Sequence, residues 1–436
     1  MRKTILIMFL IFSTLVITGC TNTKDTEKVL SNKQWIEDIN YFDEQMKLNH
    51  PDPFIYLDEE TWDESIKELK SDVRKLSDVD IALRISQIVS SMKDSHTSIH
   101  ILNLLAPVGN EKIDRKEIVE FPINLEYFED GIRVIACGNE YKDILGYKLL
   151  AINNTSIEEV IEKVSKIMPY DNSQFAKGLG KEYSNIYEYL RFLEIVDNKE
   201  VEYLFENSKQ EKVVVKMKAI KNADIDYVDI NKKESKISEK VNDSNDFYWY
   251  KFFEEDNVLY FKLSKILTNQ LPSVAHINKK ELPNYYDFHN KFIEEINNKK
   301  PEKLVVDIRH NPGGSTGLID FIAHDLKYRI DVEKENIYVI TDKNTASAAA
   351  DLAWRLQNDM GVKVIGEETG GNVNYFGTEG ESIALPNSKL KIKHPYMFIE
   401  NKKGHVGGVK PDVEIIQSFD AYMQGIDDCY EYINNK

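Results

Sequence analysis

The sequence predicts a multi-domain chain of the α/β class, in the α+β arrangement: an N-terminal helical unit, a β-rich middle domain and a C-terminal α/β core. Three observations predict it. At roughly 150 residues per domain, a length of 436 residues gives about three folded units. The apolar residues recur with a helical period near the N-terminus, with a strand period in the middle, and with the two alternating in the last third. The composition, 42% hydrophobic and 30% charged with 20 glycines and 12 prolines, is that of a globular protein and excludes collagen-like and wholly disordered chains. A formal charge of −17 repels phosphate backbones, so nucleic acid is not an expected partner.

At the N-terminus, Arg2 and Lys3 precede an apolar run over residues 5–17, short for a bilayer span, which reads as a signal peptide over residues 1–19. The run ends in Ile17, Thr18, Gly19 and Cys20, which resembles the lipobox of bacterial lipoproteins. That resemblance implies cleavage before Cys20, lipidation of its thiol, and a polar tether over residues 20–32. Acyl chains partition into membrane at about 0.8 kcal/mol per buried methylene. The expected location is the extracytoplasmic face of the cell membrane, held there by the lipid.

Residues 33–105 read as a helical unit. Trp35, Ile39, Phe42 and Met46 share one helix face, Trp62, Ile66, Leu69 and Val73 a second, and the two helices flank the turn at Pro51 and Pro53. A third helix carries Ile81, Ile85, Ile88 and Met92, and residues 97–102 then alternate as a strand. The middle domain, residues 118–220, shows strands near 123–127, 132–136 and 145–152, a turn at Asn153 and Asn154, a helix over 157–167, and a hairpin of 201–205 with 212–217. Residues 221–246 are polar and read as a linker. In residues 247–436, strands at 258–263, 304–308, 336–340 and 362–365 alternate with helices, which means parallel pairs. Cys137 and Cys429 have no scaffold spacing and are expected as unpaired thiols, neither of them a nucleophile. His50 and the aromatic run 247–253 read as packing. There is no HExxH pair, P-loop or Gly-rich dinucleotide turn, so metalloprotease, nucleotidase and dehydrogenase readings lack residues and no metal or cofactor is expected.

Two turns carry chemistry. The strand at 304–308 runs into Asp307, Ile308, Arg309, His310, Asn311, Pro312, Gly313 and Gly314, and the glycines open onto a helix over 318–326. Amides at such a helix start suit an anion or a developing oxyanion. The next strand leads to Ser347, followed by Ala348, Ala349 and Ala350. Small neighbours let a carbonyl approach the Ser347 hydroxyl, with the amide of Ala348 aimed where a tetrahedral oxygen develops. The same pattern also suits a serine that only caps a helix.

Residues 307–314, 345–350, 366–371 and 408–412, in that order, together with Asp94, Ser95, His96 and Thr97, resemble the tail-specific, or carboxyl-terminal processing, protease family, and its tricorn-core branch in particular. The resemblance spans about residues 33–415. It implies an α/β protease core over 247–436, with Ser347 as nucleophile and Gly314 and the amide of Ala348 as oxyanion hole. In the lysine-dependent branch a lysine follows a Thr-x-Gly stretch; here Thr369, Gly370 and Gly371 are followed by Asn372, which cannot accept the serine proton. The tricorn-like branch implies His96 as base, histidine being the side chain suited to exchanging a proton near neutral pH. It also implies a glutamate that orients the imidazole through Ser95. Where that glutamate is expected, before Gly408 and Val409, stands His405; Glu367, Glu368 or Glu400 substitutes for it, or the site works as a dyad, or catalysis is lost. The segment 146–153 resembles part of a degenerate PDZ-like domain lacking a Gly-Leu-Gly-Phe loop, so capture of a substrate C-terminus is not assumed. The expected function is an extracytoplasmic, lipid-anchored serine peptidase acting on a peptide or protein substrate. The alternatives are a catalytically inactive lipoprotein that binds peptides or apolar ligands on the same fold, and a structural envelope lipoprotein.

Overall fold

The computed structural model describes residues 29–99, 115–237, 247–270, 282–330, 332–379 and 382–436. The signal peptide, Cys20 and most of the tether lie outside the described residues, as does the end of the strand expected at 97–102.

The three N-terminal helices are Asn32–Asn49, Glu59–Asp72 and Asp78–Ser91. Ser31 and Ser77 close capping boxes, and Asp58 accepts from Thr61 at the head of the second helix, which satisfies amides that a helix start leaves free. Their apolar stripes are buried as the periodicity requires. The unit is not self-contained. The strand after the third helix, Ser98–Ile99, pairs antiparallel with Lys391–Lys393. Ile383, Leu385 and Ile392 join the same apolar cluster as Trp35 and Phe42, and Asp38 accepts from the amides of Asn387 and Ser388 at 2.8 and 2.7 Å. A two-residue strand has no stability alone, so the chain's C-terminal part holds the N-terminal unit in place.

The middle domain is a sheet of Tyr227–Asp229, Gly131–Gly138, Lys148–Ile152, Glu200–Glu206 and Lys212–Lys218 in that spatial order, with Ile123–Phe128 also paired to Gly131–Gly138. The expected linker 221–246 therefore supplies a strand, Tyr227–Asp229, to this sheet. Besides the expected helix, here Ile157–Ser165, there are two that periodicity does not show, Ser173–Tyr183 and Tyr187–Phe192. The first of these carries Gly178 and Gly180, both buried. A Cβ at Gly180 would lie 2.4 Å from the carbonyl oxygen of Ile161, and one at Gly178 the same distance from Oδ1 of Asn344. The glycines let this helix press against the preceding helix on one side and against the turn before Ser347 on the other.

The C-terminal sheet runs Tyr248–Phe253, Val258–Leu263, Lys303–Asp307, Ile337–Thr341, Lys363–Gly366, Val413–Glu414. Its first pair is antiparallel and the other four are parallel. Strand residues alternate between two apolar clusters: Leu304, Val306 and Val339 face one, Val305, Ile340 and Ile365 the other. Burial on both faces explains why these strands read as continuous apolar runs. The helices Tyr285–Lys299, Thr316–Tyr328 and Ala348–Met360 follow their strands as expected. The aromatic run packs as expected, with Tyr248 edge-on to Tyr285 at 5.0 Å. Cys137 and Cys429 are both free and buried, and burial pushes the Cys137 thiol up to about 11.

Candidate active site

The turn between Ile337–Thr341 and Ala348–Met360 is built on Asp342, whose Oδ1 accepts from the amides of His310 and Asn344 and from the Thr345 hydroxyl, each at 3.0 or 3.1 Å. Burial alone would raise this carboxyl, but His310, Lys343 and the hydrogen bonds from His310 hold it well below the usual carboxylate range. Ser347 follows with φ 52° and ψ −130°, a conformation that costs a non-glycine residue about 1–3 kcal/mol. Its side chain makes no capping bond to the helix that starts beside it. Instead the hydroxyl lies 3.0 Å from Nε2 of His96.

The space around that hydroxyl is kept by glycine. A Cβ at Gly313 would lie 2.7 Å from Cβ of Ser347 and 2.9 Å from the nitrogen of Ala348, and one at Gly371 2.7 Å from the nitrogen of Ser347. Gly313 and Gly314 have φ values of 102° and 145°, which L side chains seldom adopt. Their loop is pinned on both sides: Ile266 donates to Gly313 at 3.0 Å and accepts from Ser315 at 2.8 Å. The amide of Ala346 donates to the carbonyl of Asn311 at 3.0 Å, which ties the glycine loop to the serine turn. Gly313 thus lies against Ser347 and the Ala348 nitrogen, and Gly314 follows it in the same loop, packed on the Ile266 backbone.

His96 sits in the tight turn between Asp78–Ser91 and Ser98–Ile99. Asp94 shapes that turn, accepting from the His96 amide at 2.8 Å, from the Thr97 hydroxyl at 2.5 Å, and from Nε2 of His50 at 3.2 Å. Oγ of Ser95 lies 3.4 Å from Nδ1 of His96, and the Ser95 amide donates to Oδ1 of Asp171 at 2.7 Å. The Tyr375 ring stands 6.0 Å from the imidazole. Asp94, His96 and Asp171 bring one polar atom each within 4.8 Å of one another, the spacing of a metal-ligand cluster among the described residues. The Asp94 oxygens already accept from His96, Thr97 and His50, and Oδ1 of Asp171 from Ser95.

Ser347, His96 and Ser95 are therefore brought together, with Ala348 next to Ser347 in the chain and Gly314 one residue beyond the glycine that abuts it. The four expected orienting groups are placed elsewhere. Glu367 pairs with Lys343 at 2.8 Å, Glu368 accepts from the Gly408 amide at 3.1 Å, and Glu400 accepts from the Gly404 amide at 3.4 Å. The backbone at Lys402 and His405 is held by Asn374, at 2.6 and 3.0 Å, which turns the His405 ring onto Trp354 at 5.9 Å. Among the described contacts none of the four bonds to Ser95, His96 or Ser347. Asn372, at the position of the absent lysine, donates to the backbone carbonyl of Asp171 at 3.2 Å and accepts from Asn172 at 3.1 Å. Asp94 enters the sequence reading only as part of the stretch around His96, with no role of its own, and Asp171 does not enter it. Asp94 had a visible signal, its place two residues before His96; Asp171, in a polar turn of another domain, had none.

A second buried carboxylate, Asp307, lies at the head of the glycine loop. It pairs with Lys262 at 3.1 Å and Arg309 at 2.8 Å, and although burial opposes its ionisation, these cations hold it well below the usual range. A depressed folded pKa contributes stability above the unfolded value, near 3.9, that is lost as pH falls through the folded value. Asp307→Asn leaves the Lys262 ammonium buried without its carboxylate, and is expected to lower stability by about 3–5 kcal/mol at pH 7. Urea denaturation should show that deficit shrinking below pH 4; an equal deficit at pH 3 and pH 7 contradicts the account.

Residues 322–415 match the model of Peptidase family S41. Among solved structures, mature CPAF complexed with lactacystin is similar at a TM-score of 0.61 and 10% identity, covering 93% of this chain and 97% of that one. Mature CPAF by itself is similar at 0.60 and 11% identity, covering 92% and 96%. The photosystem II D1 C-terminal processing protease matches at 0.41 and 12% identity, over 88% and 93%. At such identities the CPAF likeness is one of fold, and it runs over nearly the whole chain. Residues 322–415 are thus similar to Peptidase family S41, and they lie within a mixed helix-and-sheet fold shared with CPAF.

Proposed function

We propose that this chain is a serine peptidase in which Ser347 is the nucleophile and His96 its base. The observation that carries this reading is the 3.0 Å approach of His96 Nε2 to Ser347 Oγ, between side chains on different domains, with the hydroxyl turned away from the helix it would otherwise cap. As Oγ bonds to the carbonyl carbon of a peptide, its proton passes to Nε2. The oxygen that becomes negative lies beside the Ala348 and Gly314 amides, where helix-start N–H groups stabilise it. Collapse expels the amine, which takes the proton from Nε2. Water then attacks the acyl ester with His96 again as base, releasing the acid and restoring the Ser347 hydroxyl.

The protein acts outside the cytoplasm on peptides or proteins, tethered through lipid on Cys20; the basic start, short apolar run and Gly19–Cys20 ending support this location. A fluorophosphonate probe applied to the full-length protein tests the reading. Mass spectrometry is expected to find the adduct on Ser347, its loss in His96→Ala, and an acylated Cys20 at the mature N-terminus. No adduct on Ser347, with a control peptidase labelled, rejects the enzyme and favours ligand binding in the same cleft.

A further inference from the structure

We propose that Asp171, carried by the middle domain, is the positioning carboxylate of this site: it holds Ser95 against Nδ1 of His96 and balances the charge that forms on the imidazole, so that the machinery is complete only when the middle domain is docked on the core. This rests on the reading of Ser347 and His96 as nucleophile and base.

Asp171 is 7% exposed. One oxygen accepts from the Ser95 amide, while Oδ2 is buried with no hydrogen-bond partner. A buried carboxylate oxygen left so is costly, and such groups are kept where they serve a function. The Ser95 hydroxyl is the link. At 3.4 Å from Nδ1 it accepts that nitrogen's proton, and its own proton then turns towards the free oxygen of Asp171. This leaves Nε2 unprotonated towards Ser347, the tautomer a base requires.

Asp94 is nearer in sequence but already committed. Its oxygens hold the turn through the His96 amide, the Thr97 hydroxyl and His50, and its nearer oxygen stands 3.8 Å from Nδ1. The other titratable neighbours are Tyr375, whose hydroxyl donates to Asp351 at 3.1 Å, and Tyr56, whose hydroxyl is pushed up by burial and by the charges of Asp171 and Asp94. Neither replaces a carboxylate at Ser95.

Asp171 is also fastened to the core. Asn372 holds its carbonyl, and Asn172 spans Asn372 and the Thr369 carbonyl at 3.1 Å each. The same Asn172 caps the helix Ser173–Tyr183, whose Gly178 abuts the serine turn. The position that cannot supply a base instead anchors the segment that supplies the carboxylate.

Burial pushes the Asp171 carboxyl up; Asp94 adds to the rise, and a charged His96 opposes it. A raised folded pKa contributes stability at low pH that is lost as pH rises through the folded value. Where the group is ionised in the folded protein, that shift therefore costs stability.

The full-length chain, its Asp171→Asn, Asp171→Glu and Asn372→Ala variants, fluorophosphonate labelling of Ser347 from pH 5 to 9, and thermal melts together test the proposal. Asp171→Asn is expected to slow labelling by about 10²- to 10⁴-fold, move the acid limb to lower pH because a neighbouring negative charge is gone, and leave Tm equal or higher. Asp171→Glu should recover part of the rate, and Asn372→Ala should slow labelling less than Asp171→Asn does. Wild-type labelling retained within threefold in Asp171→Asn overturns this proposal alone, as does a loss of rate that tracks a fall in Tm. No labelling of the wild type overturns the nucleophile reading and this one with it.

Discussion

Ser347→Ala is expected to lower peptide turnover by about a million-fold, the scale at which removing the nucleophile of a serine triad leaves only binding and oxyanion stabilisation. Its effect on stability separates the two readings of a serine at a helix start. Replacing a capping serine by alanine costs about 1 kcal/mol. Here the hydroxyl meets His96 and does not cap, so Ser347→Ala should change Tm little. Ser347→Gly should be equally inactive yet more stable, because glycine adopts φ 52° without strain. Turnover measured beside thermal melts checks both. An inactive Ser347→Ala that has also lost a cap's worth of stability fits the helix-cap reading, and an active one removes Ser347 from the mechanism.

Gly314→Ala is expected to reduce kcat by about 10²- to 10³-fold, the cost of losing one oxyanion donor. The added Cβ would fall 2.1 Å from the carbonyl oxygen of Ile266, a backbone atom already held by the Ser315 amide. The loop must move, and the Gly314 amide moves with it. The loss should appear in kcat with KM little changed, since the donor acts on charge that develops in the transition state. Gly313→Ala should act more directly, placing its methyl 2.9 Å from the Ala348 nitrogen and so inside the hole itself. Steady-state kinetics on a fluorogenic peptide distinguishes the cases; a near-normal kcat in both variants removes this loop from the oxyanion hole.

The elements visible in the sequence are those whose burial leaves a local mark. The core strands are apolar over 304–306 and 337–340 because both faces are covered, and the first three helices show stripes because one face is. What escaped was held together from a distance. The helix Ser173–Tyr183 depends on glycines chosen for close packing rather than on an apolar stripe. Tyr227–Asp229 is a strand only because Gly131–Gly138 offers it an edge.

The site divides the same way. Gly313, Gly314, Ser347 and its alanines are legible because a positive φ and a crowded backbone admit few residue types, a constraint written at each position. His96 was legible through the motif around it. The carboxylate was not: Asp171 is one of 73 acidic residues, and neither its neighbours nor its spacing distinguishes it. The sequence by itself determined the α/β core and the strand-to-helix turn at Ser347, which follow from local backbone and burial constraints, while the roles expected of Ser347 and His96 came from the family resemblance. Only the tertiary structure decided that Asn372 anchors another domain and that Asp171 meets Ser95, 76 residues away, because an acceptor for a buried N–H is chosen by which surfaces pack together rather than by the residues beside it in the chain.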